Sequence, residues 1–600
     1  MSRELDRRRG LPSDAGSDSP YRYDRFAALA GDLAPVSEKA APYRVSTKRL
    51  QGHRPVRTLF MALAALTCQV LFMVWLFQPG HLPAVNESPA LHVASLAMVV
   101  SIFGIQFFLL VNVATLIVAT VTARDPVPVE PLAGTRVAFL TTIVPSKEPI
   151  EGVRRTLAAA RAIRHDGTLD VWLLDEGDDR FVRRVCRDLG VRHFSRKGVE
   201  EWNRSTGAHK ARTKHGNYNA WLAAHGEHYD YLVSVDPDHV PLPEFCERML
   251  GYFRDPDIAF VVGPQVYGNF DNFVTKAAES QQYLFHSLLQ RAGNYFGAPM
   301  LVGTNNAIRI AALRSVGGMQ DSITEDMATS LAVHAGRNAV TGSRWRSVYT
   351  PDVLAVGEGP SSWTDYFSQQ LRWSRGTDEV LLRTFWRFGR RLRPGQFLHY
   401  TLLVSYYPTM GFAWMLGALN SFLYLVLGAG GLTVDADAWL MLYAYSAVFQ
   451  VVLYRWNRRH NVSPHEKEGS SGALGMLISM LSAPLYAHSL TSTLLRRESS
   501  FVVTPKGDSI SPDRCATFRW HGLWGGFLAA CLAASAVLGN GEPAMRAWTA
   551  LALSICVLPL VIWQAQSIFG GLQSRNRALR TDYSTIDAER LTGVAHETAA

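Results

Sequence analysis

Several short groups of side chains in this chain have the types and spacing that chemistry needs. Asp236-Pro-Asp238-His239 directly follows the apolar run Tyr-Leu-Val-Ser-Val. Two carboxylates there can hold a hard divalent cation through oxygen and leave positions for phosphate and water. A solvated turn explains the same residues equally well, because Asp and Pro favour turns. Asp175-Glu176-Gly177 closes the run Val-Trp-Leu-Leu. Its acids can accept hydrogen bonds from a base or ribose, or simply begin a strand-to-helix turn. Thr324-Glu325-Asp326 opens a helical pattern over 325–335. A Thr N-cap with acids in the first turn accounts for it without chemistry. Gln369, Arg372 and Trp373 stand at i, i+3 and i+4, so they share a helix face. The Arg can clamp phosphate oxygens and the Trp can stack on a sugar ring; a cation and an aromatic also suit a membrane surface. Lys214-His-Gly-Asn-Tyr-Asn219 begins a helix with cationic and amide groups that suit a nucleotide or a plain cap. Phe501-Val-Val-Thr504-Pro-Lys506-Gly507 is a short loop with one hydroxyl and one cation. There is no Gly-Lys dipeptide, hence no Walker A loop.

These groups need elements to position them. Val137–Val144, Val171–Leu174, Tyr231–Val235 and Ile258–Val262 read as buried strands, with helical patterns at 151–163, 181–189, 215–224 and 243–253. Such alternation predicts a mostly parallel sheet with helices on both faces, and ligands bind such sheets at the carboxyl ends of strands. That rule favours Asp236/Asp238. It disfavours Asp255/Asp257, which precede a strand; Asp435/Asp437 fall in a loop expected outside a membrane.

Around this soluble middle lie seven stretches without Asp, Glu, Lys or Arg: 58–77, 91–122, 397–434, 438–454, 472–495, 521–541 and 547–574. A bilayer core takes ~20 apolar residues per helix. With 18% charged residues in 600, the chain is neither a fully soluble enzyme nor a disordered one. Its six cysteines show no C-x-x-C spacing, so neither a disulfide framework nor a zinc site is expected. The net charge of +9 is explained largely by basic loops rather than by nucleic acid. Residues 1–57 hold twelve Lys/Arg and no apolar h-region, so a basic cytoplasmic segment and no signal peptide are expected. Loops 78–90 and 428–437 lack Lys and Arg, whereas 455–471 has four and 496–520 five. The positive-inside rule then gives six spans, with both termini and the middle in the cytoplasm. Stretch 472–495, basic on both flanks and holding Pro484, is expected to lie in the interface. Pro408 interrupts 397–434, and 397–407 reads as a possible further interfacial helix. The expected division is 1–57 tail, 58–122 two spans, 123–396 catalytic domain, 397–454 two spans, 455–518 interfacial helix and loop, 519–574 two spans, and 575–600 tail.

Taken in order, these motifs resemble the processive, membrane-embedded family-two glycosyltransferases, and most closely bacterial cellulose synthases. Asp175 with Gly177, Lys214 to Asn219, Asp236 to Pro241, Gly303-Thr-Asn-Asn306, Thr324 to Asp326, Gln369 with Arg372-Trp373, and Phe501 to Gly507 carry the resemblance over about residues 130–510. It implies an α/β GT-A-type, Rossmann-like cytoplasmic domain inserted in a multi-span helical membrane domain. It implies Mg²⁺ or Mn²⁺ at Asp236 and Asp238, and Asp326, beside Glu325, as general base. Asp175, Glu148, Lys214, Gln369 and Arg372 would meet the nucleotide, Trp373 the acceptor sugar, and Phe501, Thr504 and Lys506 would form a gating loop. The implied activity is inverting polymerisation of a UDP-sugar, UDP-glucose first, into a β-1,4-like glucan secreted through the protein's own channel. A β-1,3-glucan or other β-glycan synthase, or transfer to a lipid, are the alternatives. Implied partners are the growing polysaccharide, the lipid bilayer of a bacterial plasma membrane and a separate extracytoplasmic subunit. Three departures stand out. Ser146 occupies a position where the family usually has Tyr; Glu176 replaces the commoner Asp; and the 26 residues after Ser574 are too few for a PilZ domain, so regulation by cyclic di-GMP within the chain is not expected.

Overall fold

The computed structural model describes residues 32–35, 43–52, 54–84, 88–270, 272–466, 470–496, 511–541 and 543–568. Two long apolar helices come first, α1 (Pro55–Leu76) and α2 (Pro89–Thr122). The chain then builds an α/β domain on a seven-stranded sheet of β1 (Thr135–Ile143), β2 (Gly167–Asp175), β3 (Arg192–Phe194), β4 (Tyr231–Ser234), β5 (Ile258–Val262), β6 (Asn306–Arg309) and β7 (Arg346–Tyr349). Their spatial order is β7-β5-β6-β4-β1-β2-β3, and all pairs are parallel except those of β6 with β4 and β5. The four runs legible as strands are β1, β2, β4 and β5. The remaining three, Arg-His-Phe, Asn-Ala-Ile-Arg and Arg-Ser-Val-Tyr, are short and broken by polar residues, so no apolar run marks them.

The sheet is covered on both faces. Val137, Phe139 and Ile143 of β1 join a core with Val153, Leu157, Phe245 and Met249, while Ala138 and Leu140 join another with Tyr218, Trp221 and Val333. Burial on both sides is why the strand is apolar without alternation. Each such large side chain contributes roughly 1.5–3 kcal/mol.

Helices α3 (Lys214–His225), α4 (Glu325–Ala335) and α5 (Trp363–Glu379) bring further motifs to the sheet. After them come α6 (Pro394–Leu425), α7 (Ala436–Asn457), the bent pair α8 (Ala473–Leu481) and α9 (Ala483–Leu494), then α10 (Cys515–Leu538) and α11 (Pro543–Ile568). Among the described residues, α1, α2, α6, α7, α10 and α11 are long and apolar enough to cross a membrane. The arrangement is a GT-A-type domain in a helical membrane protein.

Two local expectations are revised. Residues 397–407 do not form a separate helix, since α6 runs unbroken through Pro408. At 1.5 Å per residue its 32 residues span about 48 Å, against a ~30 Å hydrocarbon core. The excess is its amino-terminal end, where Tyr400, Leu403 and Val404 pack with Met327, Ala328 and Leu331 of the α/β domain. Stretch 472–495 is two helices meeting at 43°, with Pro484 in the first turn of α9.

Candidate active site

The carboxyl ends of β1, β2 and β4 and the start of antiparallel β6 meet at one edge of the sheet. Helix α3 begins there because the Thr213 side chain caps it, accepting the Gly216 N–H at 3.2 Å. Its first residue, Lys214, donates from Nζ to Asp236 Oδ1 and to the Gly303 carbonyl. Asp236 is held in turn by its own N–H, which donates to Thr304 Oγ1 at 3.0 Å. Burial works against the Lys214 ammonium, but Asp236, Tyr218 and Glu325 outweigh it and raise its pKa. Asp236, Asp238 and His239 each present a ligand atom within 4.8 Å of the others. The buried His239 Nε2 has no hydrogen-bond partner among the described residues. Two carboxylates and an imidazole are a donor set that fits Mg²⁺ or Mn²⁺.

Asp326 faces this cluster from the first turn of α4. Its Oδ2 accepts the Gly303 N–H at 3.0 Å and its Oδ1 the Met327 N–H at 2.8 Å. A Cβ on Gly303 would lie 3.6 Å from Asp326 Oδ2, 3.8 Å from Lys214 Nζ and 3.9 Å from Glu325 Oε1, so all three groups converge on that glycine. Burial raises the Asp326 carboxyl, and burial with the Asp326 charge pushes Glu325 up to about 7. Thr324 does not cap α4: its hydroxyl is buried without a hydrogen-bond partner among the described residues. It packs instead on Gly376 of α5, where a Cβ would come within 2.3 Å of Thr324 Cγ2. A plain helix start therefore does not explain this motif; a close helix contact does.

A cavity of about 3360 Å³ is lined by Glu148, Lys214, Asp236, Asp238, Glu325, Asp326, Gln369, Arg372 and Trp373, and continues past Tyr406, Tyr407 and Met410 of α6 and Ser479 of α8. Glu148 is fixed by the Val144 N–H at 2.7 Å. Gln281 and Gln370 also line the cavity, each held by a buried phenol behind the wall. Tyr486 donates to Gln370 Oε1 at 2.7 Å, and Tyr366 to Gln281 Oε1 at 2.8 Å. The amides of Gln281 and Gln370, the phenols of Tyr406 and Tyr407 and the Ser479 hydroxyl in the cavity lining suit a sugar chain better than a lipid tail.

Glu176, the departure from the family pattern, has a structural use. It forms a two-point pair with Arg196 at 3.0 and 2.8 Å and accepts the Arg212 N–H at 3.1 Å. Arg196 is 1% exposed and also donates to the carbonyls of Trp202, Lys210 and Thr213. The pair thus binds the end of β2 to the loop that delivers Lys214. Glu176→Gln leaves a buried guanidinium without its counter-charge, at a cost of about 3 kcal/mol. A lowered Tm and weaker nucleotide binding are expected, with Glu176→Asp intermediate because the shorter acid cannot keep both contacts.

A second buried network ties α4 to α6. His334 Nε2 lies 2.9 Å from Ser347 Oγ and Nδ1 2.8 Å from Tyr400 Oη, while Ser347 donates to the Pro299 carbonyl at 2.8 Å. Burial lowers His334 to about 3, so the ring is neutral. With one ring proton, a single arrangement satisfies all groups: Nε2–H donates to Ser347, and Tyr400 donates to Nδ1 while accepting from Ser330. Tyr400→Phe orphans His334 and Ser330, costing roughly 1–3 kcal/mol. Because α4 carries Asp326, kcat is expected to fall more than KM rises.

Some expected site residues lie elsewhere. Asp175 is 0% exposed, and its oxygens accept the N–H groups of Gly177 and Asp179 at 2.8 and 2.6 Å and face His193 at 3.1 Å. It shapes the turn, and Glu176 and Gly177 line the cavity in its stead. Phe501, Thr504 and Lys506 lie outside the described residues. Asp255 and Asp257 are taken by Arg44, with Arg346 also on Asp255, and Asp435 caps α7 by accepting the Ala438 N–H. Sequence reasoning missed Arg196 and Tyr400. The first belongs to no motif, and the second sits in a charge-free stretch that reads as membrane. His239 was visible beside Asp238, but nothing in the sequence showed its free nitrogen.

Residues 141–317 match the family model described as glycosyl transferase family 2, and residues 231–453 that of glycosyl transferase family group 2. The chain is 28% identical over 261 residues to a cellulose synthase catalytic subunit of Xanthomonas axonopodis pv. citri, covering 42% of this chain and 33% of that one. It is 24% identical over 409 residues to cellulose synthase 2 of Novacetimonas hansenii, covering 66% and 24%. It is 31% identical over 214 residues to a probable glucomannan 4-beta-mannosyltransferase of Arabidopsis thaliana, covering 34% and 37%. The chain thus spans less than two-fifths of the length of each of these relatives. A mannosyltransferase from Pyrobaculum calidifontis, solved with GDP-mannose and Mn²⁺, matches with a TM-score of 0.40 at 17% identity, covering 68% of this chain and 100% of that one.

Proposed function

We propose that this chain, which matches glycosyl transferase family 2 and family group 2 models over residues 141–317 and 231–453 and resembles cellulose synthase catalytic subunits, is a glycosyltransferase that polymerises a UDP-sugar, UDP-glucose first, into a β-1,4-linked glucan. The growing chain leaves through the membrane helices, from a catalytic domain on the cytoplasmic side of a bacterial plasma membrane. The observation that carries this reading is the continuity of the cavity from Asp326 past Trp373 to Tyr406, Tyr407 and Met410. An enzyme that releases its product after one transfer needs no such path.

Asp236 and Asp238, with His239, would hold Mg²⁺ or Mn²⁺, which when bound supplies positive charge to the departing diphosphate. Lys214 and Arg372 add fixed cations on the same side. Asp326 takes the proton of the acceptor hydroxyl as its oxygen forms a bond to the anomeric carbon. The bond from that carbon to phosphate breaks, and UDP leaves with the electron pair. One displacement turns an α-linked donor into a β-linked product. Trp373 stacks on the acceptor sugar and directs its hydroxyl at Asp326.

Synthesis in proteoliposomes tests this. Purified protein is given Mg²⁺ or Mn²⁺ and a panel of labelled UDP-sugars, and product is digested with β-1,4- and β-1,3-specific glucanases. Long polymer from UDP-glucose, sensitive to the β-1,4 enzyme, is the expected result. Label confined to lipid with every donor would overturn the processive reading.

A further inference from the structure

The segment joining α5 to α6 carries five arginines in eleven residues: Arg383, Arg387, Arg390, Arg391 and Arg393, all exposed. Glu379, paired with Arg383 at 2.7 Å, is the last acid before Asp435. More positive charge approaches from the α/β domain. Arg344 donates to the Arg391 carbonyl, and burial with the charges of Arg337 and Arg393 lowers its pKa. The same segment exposes one large apolar side chain away from the cavity, Trp386 at 56%, while Leu382 and Arg383 border the cavity of the candidate active site. Its inward side chains, Val380, Phe385 and Leu392, are buried in one cluster with Met327, Ala328 and Leu331 of α4. At Pro394 the chain passes directly into α6, which is apolar enough to span a bilayer.

The segment therefore has cations and an indole outside, the helix bearing Asp326 inside, and a membrane helix at its end. We propose that residues 386–393 bind the headgroups of anionic phospholipids in the leaflet bordering the α/β domain. Guanidinium groups meet phosphate through two parallel hydrogen bonds, and an exposed indole beside them belongs at the headgroup level of a bilayer. An acidic polypeptide would match the charge but would leave Trp386 unexplained at the foot of a span. Bound headgroups hold this segment, and through Phe385 and Leu392 they hold α4.

The test does not use sugar transfer, so it stands or falls apart from the proposed activity. The full chain in detergent is equilibrated with equal amounts of phosphatidylglycerol and phosphatidylcholine, repurified, and its retained lipid measured by mass spectrometry. Wild-type protein is expected to retain phosphatidylglycerol in excess, and added salt to reduce it. Each arginine near an anionic surface contributes about fivefold in affinity. The triple variant Arg387→Gln/Arg390→Gln/Arg391→Gln is expected to lose the preference, whereas Arg187→Gln, an exposed cation of the α/β domain away from any span, keeps it. If the triple variant does not fold, Arg387→Gln alone is expected to lose about fivefold. Equal retention of both lipids by wild type, or an undiminished preference in the variants, would overturn the proposal. Displacement of the lipid by excess inorganic phosphate would assign the site to a free anion and overturn it as well.

Discussion

Asp326→Asn is expected to stop sugar transfer while leaving UDP bound as tightly as before. Loss of a positioned general base lowers kcat by about 10²–10⁴-fold. The groups proposed to hold the diphosphate, Lys214, Asp236 and Arg372, keep their places, so the change falls on kcat. The substitution also has a structural consequence. Asp326 accepts two backbone N–H groups, one on each oxygen, and an amide can accept only one. That orphaned donor costs roughly 1–3 kcal/mol, which a Tm shift will register, so UDP affinity and Tm must be measured beside kcat. The pH profile gives an independent check. Burial raises Asp326 and takes Glu325 to about 7. The base works only when ionised, so kcat/KM of the wild type is expected to fall as pH drops through that region. Glu325→Gln removes one of the coupled acids and is expected to move this limb to lower pH. A residual rate in Asp326→Asn within tenfold of wild type would show that another group takes the proton.

The site is assembled from parts far apart in sequence that are cross-linked to one another. The edge of the sheet supplies Asp236 and, through Gly303, a common point for Lys214, Glu325 and Asp326. Helix α5 crosses α4 closely enough that only glycine fits at 376 against Thr324. Through His334 and Tyr400, α4 is also fastened to α6, whose other residues line the continuing cavity. The continuing cavity and Asp326 therefore share one support, and a displaced α6 would displace Asp326 as well.

Much of this was legible beforehand, for definite reasons. Apolar runs long enough to cross a covered sheet mark β1, β2, β4 and β5, and the start of α4 at Glu325 follows from its helical pattern. The preference for ligands at carboxyl edges separated Asp236/Asp238 from Asp255/Asp257, and the latter are indeed consumed by Arg44 and Arg346. What escaped depends on three-dimensional packing. The inward turn of Asp175 arises from backbone N–H groups two and four residues ahead, which any acid at a turn could equally leave to water. The antiparallel direction of β6 leaves no trace in four residues. Proline usually ends a helix, so the continuity of α6 through Pro408 could be read only from its packing on both sides.

Asp236→Asn and Asp238→Asn should separate a metal site from a simple ion pair. Lys214 already neutralises Asp236 in this structure, so charge balance alone gives that acid a partner. Asp238 lies beside His239, whose Nδ1 is 3.4 Å from Asp238 Oδ1. If Asp238 served only a turn, its isosteric amide would change binding little. If both acids hold a divalent cation through oxygen, each amide removes a negative ligand and weakens binding of Mn²⁺ with UDP by about 10–100-fold. Titration calorimetry with UDP is therefore expected to show a large Mn²⁺-dependent loss in both variants, and none when wild type and variants are compared in chelator. His239→Ala is expected to fall between, because an imidazole contributes no charge to the site. Asp238→Asn with wild-type affinity in Mn²⁺ would leave Asp236 as the partner of Lys214 alone and remove the cation from this corner of the cavity.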